Sequence, residues 1–97
     1  MDQAQGFSFE AAIRDTPALS ALAAEMFDMV AHAHAGARIA RAASVNLDFT
    51  ARQAVEALEG AVSVSKSTAS VIFMSANITE GGVSVLRASA LYGFVPS

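Results

Sequence analysis

The chain has no cysteine, no tryptophan and only two prolines in its 97 residues. Without cysteine it can form neither a disulfide framework nor a thiolate metal site. Basic charge is scarce as well. Six Lys and Arg stand against nine Asp and Glu, for a net charge of −3. Only Arg38 and Arg41 lie close together, so no basic stripe tracks a phosphate backbone and no nucleic-acid partner is expected. The most apolar run, Ala69 to Ile78, is about half of the roughly 20 residues a spanning helix needs, and it is diluted by serine. Met1 to Glu10 carries Asp2 and Glu10 where a secretory signal carries positive charge. The sequence therefore predicts no cleaved Sec signal and no membrane span; the compartment stays open, with the cytoplasm or the interior of an assembly favoured.

Chemical motifs are missing too. His32 and His34 are two apart, and on a helix such residues project about 200° from one another, so they do not share an ion as an i, i+4 pair can. No serine sits in a Gly-x-Ser-x-Gly turn, and Glu80-Gly81-Gly82 is too short and too lightly basic for a phosphate loop. The expectation is a non-enzymatic protein with no catalytic, metal or cofactor residues.

What the chain does have is apolar material: 54% of it is hydrophobic, more than a domain of this size readily hides. Asp15-Thr16-Pro17 is a helix start, with Thr16 as cap and Pro17 at the first helical position. Leu19, Leu22, Ala23, Met26, Phe27 and Val30 then follow at steps of three and four. Asp15, Glu25 and Asp28 precede Arg38 and Arg41, in the order that suits a helix dipole. This predicts a helix from Pro17 to about Ala43. A second helix is read over Leu47 to Leu58, with Asp48–Arg52 and Arg52–Glu56 paired on its exposed side and Gly60 as C-cap; the two could also be one rod. Ser8 is read as the cap of a short helix over Phe9 to Arg14.

Composition shifts near Gly60. Seventeen of the 22 alanines lie between Ala11 and Ala61, eight of the eleven serines lie from Ser63 onward, and Lys66, Glu80 and Arg87 are the only charges after Gly60. For this half, one reading is helical: Val62, Ala69, Ile72, Phe73 and Ala76 form a stripe, and Val83 to Tyr92 makes a last helix. The other has strands around Val62–Lys66, Val71–Met74 and Val83–Leu86. Helix is preferred because the stripe continues that of the first half and no two-residue hairpin signal is present.

The predicted fold is therefore mainly α in a single domain: an arm (1–16), an alanine-rich helix or two helices (17–60) and an apolar packing half (61–97), the alternative being α+β with a short C-terminal hairpin or meander. A small-residue seam, Ala33, Gly36, Ala37, Ala40 and Ser44, admits close helix contact. With Val71, Ile72, Phe73, Met74, Val83, Val85, Leu86, Leu91 and Phe94 it forms the expected assembly interface. Asp15-Thr16-Pro17-Ala18-Leu19 and Thr79-Glu80-Gly81-Gly82-Val83-Ser84-Val85-Leu86 resemble segments of the small R-body (Reb) proteins of bacteria. That resemblance implies polymerisation into coiled ribbons. The expected function is a self-assembling structural subunit, a homo-oligomer held through its C-terminal half or a filament component. The alternatives are an adaptor binding one dissimilar protein and a membrane-surface protein.

Overall fold

The helix start is where the sequence places it, with the cap one residue earlier. In the structure, a computed structural model describing residues 4–51 and 53–96, Asp15 is extended and its carboxylate accepts the Ala18 N–H at 3.1 Å. The helix α1 (Thr16–Ala35) buries Leu19, Ala23, Met26, Phe27, Val30, Ala31 and Ala35 along one face. It ends eight residues before Ala43. Gly36 takes φ +63, ψ −121, a backbone state that suits only glycine. Arg38 then folds back to cap the helix: Nε donates to Ala35 O at 3.1 Å, Nη1 to Ala69 O, and the guanidinium stacks 4.4 Å over the Phe94 ring.

Apart from α1 the described elements are strands: β1 (Ala4–Phe9), β2 (Ile39–Phe49), β3 (Leu58–Ser67), β4 (Val71–Glu80) and β5 (Val83–Val95). They form one antiparallel sheet in the order β1-β3-β4-β5-β2. The mainly helical hairpin is thus replaced by an α+β architecture, one helix on one face of a five-stranded sheet. Phe9 to Arg14 is strand end and irregular chain; of the expected second helix, 47–49 end β2, the described residues 50, 51 and 53–57 lie outside helix and strand, and Leu58 opens β3, with Gly60 inside it. The expected pairs of Arg52 lie outside the described residues.

The reason is a period of two. Leu58, Gly60 and Val62 on β3, Ile72, Met74, Ala76 and Ile78 on β4, and Leu86, Ala88, Ala90, Tyr92 and Phe94 on β5 alternate with exposed or half-buried residues and meet α1. Of the residues read as a helical stripe in the second half, Val62 lies on β3, Ile72, Phe73 and Ala76 on β4, and Ala69 in the turn between them, while the expected last helix is β5. Gly81 and Gly82, with φ +57 and +84, make the two-residue turn between β4 and β5, the geometry that matches the twist of a hairpin. Thr68 makes the β3–β4 turn, its Oγ1 accepting the Ser70 and Val71 N–H groups at 3.3 and 3.1 Å. No helix among the described residues is long and apolar enough to cross a membrane.

Gly60 lies beneath α1 because nothing larger fits: a methyl group there would overlap Met26 Sδ and touch the Phe9 ring. We expect Gly60→Ala to lower the urea unfolding free energy by about 1–3 kcal/mol. In a Met26→Ala background the same change should be neutral or mildly stabilising, since strand glycines are themselves unfavourable. Additive losses across this double-mutant cycle would contradict the contact.

Candidate functional site

On the helix side of the sheet two surfaces are left uncovered. One is the outer face of α1, where Ala21, Glu25, Asp28, Met29 and His32 are exposed at helical spacing. The other is the inward side of β2. Its register with β5 sets Val45 opposite Ala90, Leu47 opposite Ala88 and Phe49 opposite Leu86, so these three point to the same side as α1. Yet Val45 is 40% and Phe49 38% exposed, and Leu47 is half-buried. Met29 is 58% exposed. The result is an open apolar wall on β2 and, on the same side of the sheet, two exposed carboxylates on α1.

The two carboxylates of α1 differ in their surroundings. Asp28 accepts a hydrogen bond from the hydroxyl of Tyr92, a β5 residue whose ring is buried in the core. Burial, then this bond, then the charge of Asp28 all push the Tyr92 phenol above its ordinary value. Glu25, one turn earlier, has no hydrogen-bond or ion-pair partner among the described residues. His32 and His34 bond through Nδ1 to the carbonyls of Asp28 at 2.7 Å and Val30 at 3.0 Å. No group of three or more metal-ligating side chains occurs among the described residues.

At the start of α1 a recess of about 270 Å³ is lined by Arg14, Asp15, Thr16, Phe49, Ala51 and Gln53. Ala51 sits at φ +62, a left-handed conformation that costs a non-glycine residue about 1 kcal/mol or more. The surrounding loop is tied down from two sides. Glu80, 6% exposed, accepts the N–H groups of Val55 and Glu56 at 2.8 and 2.9 Å, and Arg14 N–H donates to Ala54 O at 2.8 Å. In the first turn of α1 the N–H of Ala18 is taken by Asp15 and Pro17 has none, which leaves that of Thr16. Nine residues separate Thr16 from Glu25, about 13 Å along the helix axis.

The expected small-residue seam does not form as a helical stripe, because α1 stops at Ala35. Ala33 is exposed on the last turn, Gly36 and Ala37 form the bend, and Ala40 (buried) and Ser44 (exposed) belong to β2. Ile72, Met74, Val85, Leu86 and Phe94 are buried in the chain's own core. Val71 and Leu91 are half-buried, Phe73 is 39% and Val83 48% exposed. Sequence reasoning weighed Glu25 and Asp28 only as dipole charges. Their signal was that they lie three apart and opposite the buried stripe of the same helix.

No protein-family model matches this sequence and no curated protein matches it. Solved structures do match. A Lactococcus lactis protein assigned to the thioesterases superposes with TM-score 0.85 at 14% identity, over 98% of this chain and 80% of that one. A Streptococcus pneumoniae protein assigned to the thioesterases, solved with coenzyme A, gives 0.82 at 10%, over 97% and 82%. An acyl-CoA hydrolase variant from Staphylococcus aureus gives 0.80 at 17%, over 97% and 67%. At these identities the likeness establishes the fold, the hot-dog arrangement of a sheet curved around one helix. It overturns the R-body resemblance, and with it the expected non-enzymatic structural subunit: the similar structures carry thioesterase and acyl-CoA hydrolase names, not those of filament proteins.

The bond between Tyr92 and Asp28 gives the fold a pH dependence of definite sign. The folded state holds the Tyr92 proton more tightly than the unfolded chain does, so this contribution is complete below the ordinary phenol value of 10.0. It declines as pH rises above that value. Denaturant midpoints measured from pH 8 to 11.5 should fall above about pH 10. In Tyr92→Phe that fall should be visibly shallower, on a baseline about 1 kcal/mol less stable for the lost hydrogen bond.

Proposed function

We propose that this chain hydrolyses an acyl thioester in a site built by two copies of itself. The observation that carries the reading is Glu25: an exposed carboxylate without a partner among the described residues, on the outer face of the central helix and on the same side of the sheet as an uncovered apolar wall, in a fold shared over nearly its whole length with proteins named thioesterases. A carboxylate on the same side of the sheet as an open apolar surface suits the work of a general base. Glu25 takes a proton from water as the water oxygen attacks the thioester carbonyl carbon. The oxyanion that forms needs a donor, and the Thr16 N–H at the positive end of α1 supplies one. When the tetrahedral intermediate collapses the C–S bond breaks, and Glu25 returns the proton to the departing thiolate. The products are a carboxylic acid and a free thiol.

Within one chain these two groups are about 13 Å apart along the helix, too far to act on one carbonyl. A site combining Glu25 of one copy with the helix start of another resolves this, and it gives homo-oligomerisation a chemical purpose. The acyl chain then lies along Val45, Leu47 and Phe49, whose side chains offer no hydrogen bond. Apolar acyl groups are favoured over hydroxylated ones.

The test is a panel of short- and medium-chain acyl-CoA and acyl-pantetheine thioesters, with release of thiol as the readout; a chain without cysteine contributes no thiol of its own. Glu25→Gln should lower kcat by about 100-fold or more, the usual range for losing a general base. Glu59→Gln, on the opposite face of the sheet, should leave kcat unchanged. A wild-type chain that cleaves none of the panel, or a Glu25→Gln variant with full kcat, would refute the reading.

A further inference from the structure

The recess at the start of α1 contains a charge without a partner. Arg14 is the only cation among the described residues that line it. It is half-buried, and its guanidinium has no hydrogen bond or ion pair among the described residues. Its Nη1 is out of solvent altogether. A cationic donor withdrawn from water without an acceptor is costly, and few such groups persist in folded proteins unless a ligand or ion completes them. The neighbouring carboxylate does not complete this one, because Asp15 is turned to the helix and accepts the Ala18 N–H at 3.1 Å. Nor is the segment loose: Arg14 N–H is bonded to Ala54 O, and the loop beyond is held by Glu80.

The apolar wall ends at the same recess. The register of β2 shifts between Ala42 and Ser44, and the bulged Ala43 exchanges the two faces of the strand beyond it. Ala40, Ala42, Val45, Leu47 and Phe49 therefore share the inward side, while Arg41 and Asp48 share the outward one. Phe49, the last of the inward row, also lines the recess. We propose that the recess binds the carboxylate of an apolar monocarboxylic acid against Arg14, with the acid's tail along Phe49, Leu47 and Val45, and that the bound acid blocks the site. A planar carboxylate matches the guanidinium fork, and because the charge is delocalised over that fork, an anion on its accessible side offsets the cost of the sealed Nη1. The Gln53 side chain in the same lining carries an amide able to donate as well. The recess, about 270 Å³, admits the carboxylate and the first few carbons. Inorganic phosphate would meet the charge and leave the Phe49 end unfilled; an aliphatic alcohol would meet the wall and not the charge. The inference rests on the proposed function for the source of the acid, which is that reaction's own product: the carbonyl carbon held at the Thr16 N–H becomes the carboxylate carbon. Arg14 then offsets the two negative charges, Asp15 and Glu25 of the other copy, that would otherwise expel it, and hydrolysis is restrained by the acid it releases.

Binding is tested first, without substrate. Hexanoate titrated into the isotope-labelled chain should shift the amide resonances of Thr16, Ala51 and Gln53 saturably. Hexanol and inorganic phosphate should each bind about tenfold more weakly, and Arg14→Met should weaken hexanoate by about the same factor or more, the loss expected for a charge-assisted hydrogen bond. Arg14→Lys keeps the charge and loses the fork; it should weaken hexanoate about threefold or more, and it decides the matter if Arg14→Met does not fold. In the thioester assay the free acid matching the best substrate should inhibit competitively, with an inhibition constant raised about tenfold in Arg14→Met. Hexanoate that does not bind, that binds the Arg14 variants as it binds the wild type, or that binds no more tightly than phosphate or hexanol overturns the inference. Arg14-dependent binding by a chain that cleaves no thioester sustains the acid site and counts against the proposed function alone. Cleavage that the matching acid does not inhibit overturns the inference and leaves the proposed function standing.

Discussion

The burial of one helix against one face of a sheet governs this molecule. Phe27, Met26, Leu19 and Ala23 of α1 are sealed against Leu58, Val62, Ile72, Met74, Ile78 and Leu86 with almost no solvent exposure. In a domain of this size such a contact supplies most of the apolar area removed from water. Other features are arranged around it. Gly60 is bare so that Met26 can approach the sheet. Tyr92 extends from beneath the helix to reach Asp28. Arg38 closes the helix end over Phe94, so that the chain can turn back and enter the sheet. Because the helix covers the middle strands, its outer face and the inward side of β2 are what remain open.

The same contact accounts for the shortage of charge after Gly60. An apolar segment with three charged residues looks like one that must be covered by a partner. Its alternation instead places the apolar residues against the chain's own helix and leaves small polar ones outside. Asn46, Ser89, Ser75 and Ser63 form one such row across four strands of the outward face. Serine satisfies water there without carrying charge. Three apolar residues of one face of β2, Val45, Leu47 and Phe49, stay at least partly open, within the half of the chain that looked the more conventional.

How much of this the residues disclosed differs from place to place. The start of α1 was legible because a cap, a proline and a three-four spacing agree over Asp15 to Val30. Its end was not, because the alanines after Ala35 favour helix locally; what stops it is Gly36 together with Arg38 reaching Ala69, far away in sequence. In the second half, Val62, Ala69, Ile72, Phe73 and Ala76 fit a helical spacing by coincidence, since serine and alanine tolerate either period. The hairpin signal is Gly81-Gly82, a two-residue glycine turn of the kind that joins paired strands, and it lies just before the expected last helix, which is β5. Of the candidate site, Glu25 was visible as a residue but not as an isolated carboxylate, which depends on what surrounds it. Arg41 and Asp48 gave no hint of sharing a face, because a bulge has no signature in a single sequence.

That bulge makes the middle of β2 the most length-sensitive part of the chain. Elsewhere a lost or gained residue could be absorbed by a loop, such as the one between β2 and β3. Within β2, removing Ala43 would restore a regular pleat and reverse the facing of every residue on one side of it. Either Asp48 would turn toward the helix as Leu47 and Phe49 turned outward, or the N-terminal part of the strand would invert instead. One alanine with no polar side chain thus keeps the acidic and basic ends of the strand in phase, and natural variants of this chain should tolerate changes in its identity far better than its deletion.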